Sequence, residues 1–122
     1  MLADEKLVAF LTTANAAAAR AFYEGVLELT LLTDDQHLMV FESGASRVAL
    51  QKGERASPPH GTAVGWNVAD LAGTIRTLMA RGVAFFDQGP DKELPIWSPV
   101  PGHGVAWFKD PDGNTLSLSG TI

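Results

Sequence analysis

The stretch Trp107-Phe108-Lys109-Asp110-Pro111-Asp112-Gly113-Asn114-Thr115-Leu116-Ser117-Leu118-Ser119 decides how this chain folds. At its centre, Pro111 supplies the fixed φ of a turn's second position, Asp112 fills the third, and Gly113 is the left-handed residue that completes a three-residue loop with a bulge. Closing that loop pairs Asp110 with Asn114, which sets Lys109 opposite Thr115, Phe108 opposite Leu116 and Trp107 opposite Ser117. Side chains alternate along a strand, so one face of the hairpin carries Ala106, Phe108, Leu116 and Leu118, an apolar set suited to packing against a helix. The other face carries Trp107, Ser117 and Ser119.

A helix to cover that apolar face lies upstream. Asp70 caps a segment whose Leu71, Ile75, Leu78 and Met79 recur at i, i+4, i+7 and i+8, and Gly82 stands where a C′ glycine would end it. Val64 to Val68, Val83 to Phe86 and Val105 to Phe108 read as strands, with a Pro/Gly-rich loop between Gly89 and Gly104. The first half follows the same plan. Leu7 to Thr13 is a strand, Asn15 caps an alanine-rich helix with an apolar stripe at Ala18, Phe22 and Val26, and three strand-like runs follow at Leu29 to Leu32, Leu38 to Phe41 and Arg47 to Gln51. Asp34-Asp35 and Ser43-Gly44-Ala45-Ser46 punctuate them. The reading is an α+β domain of two βαβββ modules, about 6–52 and 62–120, joined by a linker at 53–61 that holds Pro58-Pro59; duplication is the simplest account.

Composition sets the boundaries. The chain has 122 residues, of which 46% are hydrophobic, enough for one domain with a real core. Nine basic and 14 acidic side chains give a net charge of -5, and the charges are scattered, which speaks against a phosphate-backbone binder. No apolar run approaches the ~18–20 residues of a membrane span, and the acidic Met1 to Lys6 is unlike a signal peptide. The absence of cysteine removes disulfides and thiolate chemistry and fits a reducing cytoplasm. The expectation is a cytoplasmic protein that engages neither nucleic acid nor membrane.

Three motifs in order, Arg20-Ala21-Phe22-Tyr23-Glu24-Gly25-Val26-Leu27, the capped helix Asp70 to Arg81 ending in Gly82-Val83, and Trp107 to Asn114, resemble the vicinal oxygen chelate superfamily. That is the glyoxalase, bleomycin-resistance and extradiol dioxygenase group. The resemblance implies that the two modules form a curved mixed-sheet cup and that the protein is a homodimer. It implies a divalent metal only if ligands stand at set places. Seven residues before each cap fall Val8 and Ala63; the last-strand positions fall at Ser117 and near Ala49. None of these is a His or a carboxylate, so no metal and no cofactor is expected. Glu28 also departs from the pattern, which has Gly there; a left-handed non-glycine residue costs on the order of 1 kcal/mol.

Alternation names the side chains that would line the cup: Val8, Phe10 and Thr12 on the first strand, Arg47, Ala49 and Gln51 on the fourth, Ala63, Gly65 and Asn67 on the fifth, and Trp107, Ser117 and Ser119 on the last hairpin. His103, beside two glycines, is the histidine placed to touch a ligand, while His37 and His60 read as solvent-side loop residues. Trp97 is either a lid over the cup or a plug within it. Trp107 is either a stacking ring or a subunit contact. Arg47 is either a solvated strand end or a partner for a ligand carboxylate. Phe22, Val26 and Trp66 read as core, Asp91 and Glu93 as solvated charges, and Arg20 with Glu24 as a surface pair. The expected function is metal-free binding of a small planar or aromatic molecule. The alternative is a metal-dependent lyase or dioxygenase with a relocated site.

Overall fold

Asn15 and Asp70 start the two helices in the same way. Asn15 Oδ1 accepts from the Ala18 N–H at 3.1 Å and Asp70 Oδ1 from the Gly73 N–H at 3.0 Å, each satisfying a donor that a helix start leaves free. The computed structural model describes residues 1–86 and 93–122, and the chain divides into two units, Met1–Pro58 and Pro59–Ile122.

In the first unit β1 (Val8–Thr13) leads through Asn15 into α1 (Ala16–Arg20), which widens into π-helical turns over Ala21–Val26 before β2 (Thr30–Asp34), β3 (Leu38–Ser43) and β4 (Ser46–Lys52). The strand order is β1-β4-β3-β2, with β1 parallel to β4 and the rest antiparallel. The buried stripe differs from the one expected. Ala19 and Tyr23 are fully buried, while Ala18, Phe22 and Val26 are half-buried. Tyr23 takes the central seat because its ring stacks on Phe41 at 5.7 Å, and Phe22 meets that ring edge-on at 5.4 Å. The widened turn brings the Leu27 N–H to the Phe22 carbonyl, five residues back. Glu28 then takes φ +60, so the left-handed turn is kept without glycine.

The second unit repeats the path: β5 (Thr62–Asn67), α2 (Leu71–Ala80), β6 (Trp97–Val100), β7 (His103–Lys109) and β8 (Thr115–Thr121), in the order β5-β8-β7-β6. The hairpin register is the expected one, with Lys109, Phe108 and Trp107 opposite Thr115, Leu116 and Ser117, and Gly113 has φ +89. Ala106, Phe108, Leu116 and Leu118 are buried with Leu71, Ile75 and Leu78. Met79, expected on that helix face, is exposed. Gly104 and Gly120 let the start of α2 approach: a Cβ at Gly120 would stand 2.7 Å from the Val68 carbonyl oxygen and 3.3 Å from Leu71 Cβ.

Two expectations about strands fail here. Val83 to Phe86 forms only a single bridge, Phe85 to Phe108, with the Phe86 N–H donating to the Trp107 carbonyl. The strand on that edge of β7 is instead β6, inside the stretch expected to be loop. Pro99 is compatible with it because β6 is an edge strand, where a missing N–H breaks no ladder. Both sheets are four-stranded and mixed, so the α+β class with paired βαβββ modules holds. Among the described residues no helix is long and apolar enough to cross a membrane.

Candidate functional site

In each module one sheet face is buried and the other is open, and pairing arranges the second module's open face in rows. Lys109, Thr115 and Thr62 form one row across β7, β8 and β5; Trp107, Ser117 and Gly65 form the next; Trp97, Val105, Ser119 and Asn67 the third. Alternation along β5 predicts Ala63 on this face, but the register shifts between Thr62 and Val64. That bulge adds one residue and hands the place to Thr62. No feature of the sequence marks it, and Thr62 was not among the expected site residues.

Thr62 matters because its Oγ1 accepts the Trp107 indole N–H at 3.1 Å. Trp97 stands beside the same indole, ring centroids 5.8 Å apart and planes tilted by 35°. It belongs to β6 rather than to a loop, and the end of that strand is held by Ser98 Oγ, which lies 2.8 Å from both the Val100 and His103 carbonyl oxygens. At the other end Lys109 Nζ lies 5.8 Å from the Phe86 ring centroid. Gly61, Thr62, Phe86, Trp107, Lys109 and Thr115 border a shallow, largely open hollow of about 430 Å³. Row two gives a flat surface next to it: a Cβ on Gly65 would overlap the Ser117 hydroxyl.

The remaining expected residues fall elsewhere. His103 opens β7 rather than sitting in a loop, is half-buried, and by alternation shares the face of Trp107 four residues away, about 13 Å along the strand. His37 and His60 are exposed. Trp66 is half-buried opposite Leu118 on the buried face. Glu93 lies 3.6 Å from Arg76, and Asp91 lies outside the described residues.

In the first module the corresponding rows read Val8, Arg47, Glu42, Thr30 and then Phe10, Ala49, Val40, Thr33, with Thr12 beside Gln51. Phe10 is 61% exposed and Ala49 is buried. Arg47 is half-buried rather than fully solvated, and its Nε is buried without a hydrogen-bond partner among the described residues. Glu42, opposite it, lies 3.7 Å from Lys6. At the end of this sheet Asp34 bonds both Lys52 and Arg20, and Arg20 also pairs with Glu24. The hydrogen bond from Lys52, followed by the charges of Lys52 and Arg20, holds the Asp34 carboxyl below its ordinary value, against an opposing effect of burial. Backbone N–H groups of His37 and Leu38 lower Asp35 likewise.

The places that the resemblance reserves for metal ligands hold Val8 and Ala49 in the first unit and, in the second, Ser117 and Ala63, whose place on the open face passes to Thr62. Three hydrocarbon side chains and a hydroxyl do not fit a divalent ion, which takes imidazole nitrogen or carboxylate oxygen. Among the described residues no three His, Asp or Glu side chains come together where they could hold a metal ion.

Residues 7–118 match the family model of the Glyoxalase/Bleomycin resistance protein/Dioxygenase superfamily. Among solved structures the chain is similar to a glyoxalase family protein from Bacillus anthracis (14% identity, TM-score 0.77, covering 97% of this chain and 94% of that one). It is similar also to a member of the glyoxalase/bleomycin resistance protein/dioxygenase superfamily from Sphaerobacter thermophilus (23%, 0.76, 98% and 99%). A third is lactoylglutathione lyase from Agrobacterium tumefaciens (17%, 0.75, 96% and 93%). At these identities the likeness establishes the fold alone. No curated protein matches the chain.

Proposed function

We propose, since the chain belongs to the Glyoxalase/Bleomycin resistance protein/Dioxygenase superfamily, that it binds a small planar or aromatic organic molecule, without a metal ion, on the Trp107 face of the second module. One observation carries this reading: the Trp107 indole is tied to Thr62 and flanked by Trp97 beside an open hollow of about 430 Å³. An indole already held by a hydrogen bond loses little freedom when a ring stacks on it. Such contacts contribute roughly 0.5–1.5 kcal/mol beyond the area they bury. The donor set at Val8, Ala49, Ala63 and Ser117 favours binding over the metal-dependent lyase or dioxygenase that relatives in this superfamily suggest.

The test is a titration of tryptophan fluorescence with a panel of naphthalenes, indoles and flavones. Saturable quenching is expected for wild type, weakened about tenfold, or ~1.4 kcal/mol, by Trp107→Ala and less by Thr62→Val. Absence of saturable quenching across the panel, with turnover of a hemithioacetal or a catechol by metal-loaded protein, would sink the reading.

A further inference from the structure

The proposed site does more than offer a ring to stack on. Its first row carries Lys109, Thr115 and Thr62 side by side on one face, and all three line the hollow. Thr62 Oγ1 already accepts the Trp107 N–H, so the hydroxyl proton is available to donate outward. Lys109 Nζ has an aromatic face at 5.8 Å and forms no ion pair with a carboxylate among the described residues. None of the six described residues around the hollow is acidic, although the chain as a whole carries a charge of -5.

The neighbouring Asp110 does not turn toward Lys109. Its Oδ1 accepts from the Asp112 and Asn114 N–H groups at 3.0 and 2.9 Å, and its Oδ2 from Asn114 Nδ2 at 2.8 Å, in a residue only 5% exposed. Its charge is spent inside the hairpin.

Resting on the binding reading above, we infer that the ligand is a planar aromatic anion: its ring lies on Trp107, and its carboxylate or equivalent acidic group meets Lys109, Thr115 and Thr62. Trp107 and Lys109 are two apart on one strand, so their Cα atoms stand about 6.6 Å apart and their side chains leave the same face. Gly65 and Ser117 keep the adjacent floor low enough for the ring to extend over it.

Two probes of one shape separate the ideas: 2-naphthoate and its neutral counterpart 2-naphthalenemethanol, titrated by fluorescence into wild type, Lys109→Met, Lys109→Arg and Trp107→Ala. Wild type is expected to prefer naphthoate by about fivefold. Lys109→Met abolishes that preference and leaves the alcohol unchanged; Lys109→Arg retains it; raising the salt concentration shrinks it. Trp107→Ala weakens both probes together. Equal binding of the two probes by wild type, or equal loss of both in Lys109→Met with an unchanged melting temperature, overturns the anion assignment while the aromatic site stands. Failure of wild type to bind either probe overturns both.

Discussion

The two modules share a backbone and differ in what they place on it. Both start a helix on a short polar cap, pass through a left-handed residue, Glu28 in one and Gly82 in the other, and return in the same strand order. Yet the first module sets Arg47 across from Glu42, where the second sets Lys109 beside threonines. Caps and turns repeat one backbone path and the buried positions stay apolar while their residues change, Met39 and Phe41 in one module against Ala106 and Phe108 in the other, whereas open-face residues answer to nothing in the module's core. The open faces accordingly differ in charge: the first module sets Arg47 beside Glu42, while Lys109 of the second forms no ion pair among the described residues.

The largest effects should be alike in the two halves. Phe41→Ala and Phe108→Ala each remove a fully buried ring and should each cost about 3–5 kcal/mol in urea unfolding. Costs differing by more than the width of that range would mean that the repeated architecture is not anchored equivalently. Gly120→Ala should come next, at roughly 1–3 kcal/mol, because the added Cβ meets a backbone oxygen that cannot swing aside.

The left-handed turns then distinguish the modules. Open space surrounds the missing Cβ of Gly82, so Gly82→Ala should cost about 1 kcal/mol from backbone strain alone. Glu28→Gly should run the other way, gaining about 0.5–1 kcal/mol after the extra freedom of the unfolded glycine is counted. Thermal melts of the pair should move in opposite directions.

The smallest effect is electrostatic and belongs to the first module. Asp34 has a folded pKa below its ordinary 3.8, so its contribution is present above that value and fades as pH falls through the folded pKa. Lys52→Met should lower stability at neutral pH and flatten the acid limb of the stability profile. An unchanged acid limb would show that these exposed charges contribute nothing measurable.

Much of the fold was legible because tight turns fix register. The Asp110 to Asn114 loop closes in only one way, and from it the facing of Trp107, Phe108, Ser117 and Leu116 followed. The bulge at Ala63 was not legible, since an extra residue in a strand changes no composition and breaks alternation silently; Thr62 was missed for that reason. Trp97 was misplaced because Pro95 and Pro99 read as loop punctuation, and only the edge position of β6 makes Pro99 harmless. The buried stripe runs through Ala19 and Tyr23, one residue on from Ala18 and Phe22 with the same i, i+4 spacing, and the choice between the two rests on the stacking of Tyr23 on Phe41, which local periodicity does not carry. Arg47 was named, but its buried Nε depends on neighbours brought in by pairing.

The contact between Trp97 and Trp107 also makes this protein its own reporter. Two indoles 5.8 Å apart at a fixed tilt couple their excited states and give a paired band of opposite signs in circular dichroism. Replacing either ring should collapse both lobes at once, and a molecule that turns one indole against the other should reshape them with no label attached.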